Sequence, residues 1–153
     1  MDINISSSRV ITDLLAINHT SIKGYEEAAE GVQSPVLKSE LSKFSQQRAQ
    51  FASELQGISG AAATNDSTIE GAVTEAVAAV HRGWINLKSA ITGQSDTAIL
   101  GECETGDSTA HKAYEAALTN TDLTAEAKTV LQRQHGEILN AKNWITQHKA
   151  QAN

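Results

Sequence analysis

Between Leu37 and Ile58 the apolar residues Leu37, Leu41, Phe44, Phe51, Leu55 and Ile58 recur three and four apart, which places them on one stripe of one helix. The centre of that stripe is not apolar. Seven residues after Leu41 and seven before Leu55 stands Arg48. A guanidinium left alone in a core seam is strongly destabilising, so Arg48 must meet a counter-charge inside the fold or snorkel to water. If Arg48 stays inside, the helices that pack against this stripe must supply that partner.

The rest of the composition agrees with helices. Apolar residues make up 40% of the 153-residue chain but aromatics only 4%, and there is one proline. Ala, Val, Leu and Ile must therefore fill the core, in a single domain spanning residues 1–153. The net charge is −6 and no basic cluster occurs, so no nucleic-acid partner is expected. No run approaches the roughly 18 apolar residues of a membrane span, and the first twelve residues lack a secretory pattern, so no membrane insertion is expected. Cys103 has no second cysteine to pair with, which fits a reducing, cytoplasmic location.

In chain order, Ser6, Ser7 and Ser8 offer caps for a first helix reaching about Glu30, with Ile11, Leu14, Asn18, Ile22, Tyr25, Ala29 and Val32 facing inward. Ser34 caps a second helix with Pro35 at its first position, and the short turn makes the two an antiparallel hairpin. After a small-residue loop (residues 57–65), Ser67-Thr68-Ile69-Glu70 forms a capping box for a third helix running to Thr92, with Gly93 as its stop. Its stripe is Val73, Val77, Val80, Trp84, Leu87 and Ile91. At 1.5 Å per residue such a helix spans ~37 Å, enough to carry the chain from one end of a bundle to the other. Ser95 caps a fourth helix with Leu100, Cys103, Asp107, Ala110, Tyr114 and Ala117 inward. Thr124 caps a fifth with Leu131, His135, Ile138, Lys142 and Ile145 inward.

A weak repeat relates the two ends of the chain. Gly24-Tyr25-Glu26-Glu27-Ala28-Ala29 returns as Ala113-Tyr114-Glu115-Ala116-Ala117, and each Tyr lies seven after a polar seam residue, Asn18 or Asp107. Two helical hairpins joined by a crossover is the expected plan, all-α throughout. Each of four helices then contributes a polar residue at mid-seam: Asn18, Arg48, Asp107 and His135.

This pattern resembles the ferritin-like superfamily, whose bundles hold two metal ions with a Glu from two helices and a Glu-x-x-His pair from each of two others. The run His81-Arg82-Gly83-Trp84-Ile85-Asn86-Leu87-Lys88-Ser89-Ala90-Ile91-Thr92-Gly93, with Ala98-Ile99-Leu100-Gly101-Glu102-Cys103-Glu104 after it, is similar to a bacterial four-helix-bundle family classed as a domain of unknown function. The resemblance implies a ferritin-like four-helix bundle with a long crossover helix and no assigned activity. The metal ligands mostly fail to carry over. Asn18 stands for the first Glu, Arg48-Ala49-Gln50-Phe51 for the first Glu-x-x-His, Asp107 for the second Glu, and Gln132-Arg133-Gln134-His135 for the last motif. Asn, Arg, Asp, Gln and neutral His sum to zero charge with no metal present.

The expected site is therefore a polar core layer of Asn18, Arg48, Asp107, Gln132 and His135, with Arg48 in a bidentate bond to Asp107. No cofactor is implied by it. The alternative is iron or another divalent metal on Asp107, His135 and Glu104. Glu104, Asp107 and His111 share a helix face, Tyr25 and Tyr114 could bridge the bundle through their hydroxyls, and Cys103 reads as a buried inert thiol. No nucleophile elbow or phosphate loop is present. Three functions are consistent with these residues. One is a non-catalytic structural or interaction protein (stress-associated, by analogy with the superfamily), with a homo-oligomer through helix three or the Ala-rich faces. Another is a metal-binding oxidase or storage protein. The third is a binder of small molecules between helix three and the bundle, at Trp84 and His81.

Overall fold

The computed structural model describes residues 5–59 and 74–151. All the elements in them are helices: α1 (Ile5–Gly31), α2 (Pro35–Ser59), α3 (Glu75–Gly83), α4 (Leu87–Thr92), α5 (Asp96–Leu118) and α6 (Ala125–Gln151). Four are long, and they share one core that includes Leu14, Leu41, Phe51, Leu55, Leu100, Leu131 and Ile138.

Contacts fix the helix directions. Ser45 of α2 donates to the Ile22 carbonyl of α1 at 3.0 Å, just where a three-residue turn at residues 32–34 places it. Asn18 meets Tyr114 and Tyr25 meets Asp107, so α1 and α5 are antiparallel. Phe44 packs edge-on against Trp144 while Gln134 reaches the Phe51 carbonyl, so α2 and α6 are antiparallel as well. Hence α1 and α6 run one way, α2 and α5 the other. At the top, the Asp96 carboxylate accepts from the backbone N–H groups of Gln33 (2.8 Å) and Ser34 (3.2 Å), tying the first turn to the start of α5.

The helix caps follow side-chain chemistry. Ser34 accepts from Leu37 N, Ser95 from Ala98 N and Thr124 from Ala127 N, each filling an otherwise orphan donor. Two starts differ from expectation. α1 begins at Ile5, so Ser8 lies inside it rather than capping it. The capping box Ser67–Glu70 lies outside the described residues, and α3 opens at Glu75 under an extended Thr74 whose hydroxyl accepts from Val77 N.

The crossover is also not one helix. It breaks at residues 84–86, where Trp84 N bonds to His81 O, Ile85 N to Arg82 O and Leu87 N to Trp84 O, all three residues apart. Such bonds tighten the helix. The cause is a close three-way contact. A methyl on Gly24 of α1 would lie 2.6 Å from Trp84 Cε3, and Gly106 of α5 leaves still less room against the same ring. The indole thus fills a slot made by two missing side chains. Gly83 presses on Gly106 too, its would-be Cβ 3.1 Å from that Cα. Seven residues further along both elements, Ile91 covers Gly31 in the same way. The chain stops after Thr92 with Gln94, not Gly93, in the left-handed region at φ 57°.

Replacing Gly24 or Gly106 with Ala is expected to destabilise the fold by about 1–3 kcal/mol, because the methyl must displace a buried ring. Gly101 and Gly136 have nothing within 4 Å of an added Cβ, so Ala at either should stabilise by about 1 kcal/mol through helix propensity alone. Denaturant unfolding of the four variants checks both signs.

Candidate functional site

Arg48 of α2 and Asp107 of α5 are wholly buried, each 0% exposed. Arg48 Nη1 donates to Asp107 Oδ1 at 2.6 Å and Nη2 to Oδ2 at 3.1 Å. This is the fork geometry that a guanidinium and a carboxylate share. Tyr25 of α1 donates its hydroxyl to Asp107 Oδ2, and its ring lies 5.1 Å from the guanidinium carbon, within cation–π range. Gln47 accepts from Arg48 Nε at 3.0 Å.

A second string of bonds begins one layer away. Asn18 Nδ2 donates to the Leu14 carbonyl and to the Tyr114 hydroxyl, both at 2.8 Å. Tyr114 donates to Gln134 Oε1 at 2.6 Å. Gln134 Nε2 in turn donates to Glu54 Oε1 at 2.8 Å and to Phe51 O at 3.4 Å. Glu54 is paired with Arg133, which also holds Glu137 at 2.9 Å. The string therefore runs from the centre of the core to the surface.

Burial shifts the phenols. Tyr25 is pushed well above the ordinary phenol range by burial and by the adjacent Asp107 charge; Tyr114 is pushed up by burial. For Arg48 burial works against the charge, but Asp107 and the surrounding groups outweigh it and the guanidinium is held more firmly protonated. The Cys103 thiol is raised by burial and then by Asp107, which leaves no reactive thiolate.

The expected residues are distributed as follows. Asn18, Arg48 and Asp107 are buried in the layer. Gln132 is exposed on α6, and Gln134 stands in the layer instead. His135 is not in the seam either: the buried face of α6 reads Ala127, Leu131, Gln134, Ile138, Ala141 and Ile145, which keeps Leu131, Ile138 and Ile145 of the expected stripe but puts Gln134 and Ala141 where His135 and Lys142 were expected. Glu104 is far down the α5–α6 hairpin, bonded to Lys149 and Thr146. The trio Asp107, His135 and Glu104 is therefore not assembled. Asp107 faces Arg48, while His135 lies half-buried at the edge of the core.

His135 instead stacks on His111 of α5, ring centroids 4.0 Å apart and planes 22° from parallel. Glu115, one turn after His111, places Oε2 at 3.9 Å from His111 Nδ1 and 3.7 Å from His135 Nε2. Burial, then His135, holds His111 below the usual imidazole range. The His111-x-x-x-Glu115 spacing was a legible signal, but its partner on α6 depended on a register that hydropathy misjudged.

Two outcomes test the layer. Arg48→Met should cost about 3–5 kcal/mol, because it leaves Asp107 buried with no counter-charge, and adding Asp107→Leu should recover most of that loss. A double-mutant cycle by denaturant unfolding reads this directly. Tyr25 and Tyr114 are the chain's two tyrosines, and their folded pKa values lie above the unfolded one. The stability they contribute is full below about pH 10 and is lost as pH rises toward the folded values. Phenolate absorbance should stay flat through pH 10 and rise only with alkaline unfolding.

No curated protein matches this chain. Residues 6–120, from α1 to just past the end of α5, match the family described as Domain of unknown function (DUF2383). With that match covering most of its length, the chain belongs to this family.

Proposed function

We infer that this chain is a non-catalytic structural or interaction protein on a ferritin-like plan, bacterial and cytoplasmic, in which a polar network takes the depth where that superfamily holds metal. The observation that carries the reading is the closure of the buried layer. Arg48 and Asp107, the two wholly buried charges among the described residues, neutralise one another. A di-metal centre in such a bundle draws on several carboxylates and histidines. This layer offers one carboxylate, both of whose oxygens are engaged by Arg48 and Tyr25. The residues present do not fit the metal pair. The helix directions, with a long crossover between α2 and α5, support the ferritin-like plan. Among the described residues no helix is long and apolar enough to cross a membrane, and the lone thiol, Cys103, is buried, as suits a reducing compartment. Self-association through the crossover, where Ile85 is exposed, belongs to the same reading.

Chelator treatment should leave the thermal midpoint of His111→Ala unchanged, and the stripped protein should oxidise Fe²⁺ in air no faster than buffer does. Near-stoichiometric iron that persists in His111→Ala, which leaves the buried layer intact, would overturn this reading and place a metal inside.

A second reading is favoured by a groove of about 390 Å³ between α1 and the crossover. His19, Lys23, His81 and Lys88 line it with Trp84 at its floor, against one acid, Glu27. That lining suits a small anionic aromatic compound. Titration with anilinonaphthalene sulfonate in a Trp144→Phe background should shift Trp84 emission, and Lys23→Ala should weaken the shift; an unmoved spectrum would eliminate the groove as a ligand site.

A further inference from the structure

The buried layer leaves one chemically competent cluster unused. His111 and Glu115 lie one turn apart on the same face of α5, and His135 reaches them from α6. One ligand atom from each lies within 4.8 Å of the other two. Among the described residues neither His111 Nε2 nor His135 Nε2 has a hydrogen-bond partner, although both atoms are shielded from solvent. Shielded polar atoms of this kind are usually bonded. Two stacked imidazoles whose Nε2 atoms make no hydrogen bond among the described residues, beside a carboxylate within 4 Å of both rings, form a donor set suited to a cation.

We propose that His111, His135 and Glu115 form a binding site for a divalent transition-metal cation of the zinc class, clamping α5 to α6. The donor set, two imidazoles and one carboxylate oxygen, is one that zinc accepts, with a fourth position left for water. At zinc–nitrogen distances of about 2.0–2.1 Å, tetrahedral ligands sit about 3.3 Å apart. The three side chains must therefore close by up to about 1.5 Å. Parallel rings cannot both direct a lone pair at one ion, so the stack opens as the cation enters. Glu115 is half exposed and free to swing inward. Lys142 acts on His111 electrostatically and its charge opposes a cation, so the affinity must come from the imidazoles. This site lies outside the Arg48–Asp107 layer and is independent of the reading given for it.

The test is zinc titration of untagged, chelator-stripped protein against a competing chromophoric indicator. One Zn²⁺ per chain is expected. His111→Ala and His135→Ala should each weaken binding by about 100-fold, the upper end of what loss of a ligand's supporting contacts costs. His81→Ala, in the groove on the other side, should change nothing. Zinc should raise the thermal midpoint of the wild type and of His81→Ala but not of the two ligand variants, and Co²⁺ should give the visible absorption of a four-coordinate site. Circular dichroism establishes that each variant is folded. Equal affinity in the wild type and in the His111→Ala/His135→Ala double variant, or loss of binding in His81→Ala alone, would overturn the site.

Discussion

The ion pair between Arg48 and Asp107 is the constraint to which the rest of the bundle answers. A buried pair of this kind adds little net stability compared with apolar side chains of the same volume. What it does is penalise every arrangement in which one partner is left alone. α2 cannot slide by a turn against α5 without stranding a charge, and α1 cannot slide without removing Tyr25 from Asp107. Apolar seams of Leu and Ala tolerate such slips far better, because one methyl resembles the next. In a chain with so few aromatics to lock its packing, a charged layer supplies the register.

The weak internal repeat acquires a physical meaning in this light. Asn18 precedes Tyr25 by seven residues and Asp107 precedes Tyr114 by seven. Because α1 and α5 are antiparallel, each tyrosine meets the polar residue of the other segment: Tyr25 reaches Asp107, and Tyr114 meets Asn18. The two bonds are related by an approximate twofold, although their chemistry differs. One carries a full negative charge and needs Arg48. The other is neutral and is relayed through Gln134 to the surface pair of Glu54 and Arg133.

The crossover is held by shape rather than by polarity. Trp84 occupies space that Gly24 and Gly106 leave open, and it touches Tyr25 edge-on at 5.1 Å between ring centroids. The indole therefore packs directly on the polar layer, and the groove at its other edge is the outer side of the same contact. Tightening of the chain at residues 84–86 follows from the depth to which the ring is inserted. The histidine pair, by contrast, sits between α5 and α6 at the rim of the core, where burial suffices to strip water from the nitrogens but not to exclude an ion.

Periodicity alone determined the four long helices, the antiparallel hairpins and the positions of Arg48, Asp107 and Asn18, because a polar residue inside a regular apolar stripe is visible without coordinates. It also placed Trp84 on the stripe by which the crossover docks. Tertiary structure decided the rest. The inward face of α6 is marked by Gln134 and Ala141, residues whose hydropathy does not announce burial, whereas His135 and Lys142 beside them fit a helical stripe equally well. The hydrogen bonds that Gln134 makes with Tyr114, Phe51 and Glu54 favour it as the inner residue, and with Gln134 inward His135 lies beside the core, stacked on His111. The break at Trp84 was likewise hidden, since its cause lies in two glycines on other helices, 60 residues before it and 22 after. Local sequence encodes which face is apolar; which of two nearly equal faces wins depends on partners distant in the chain.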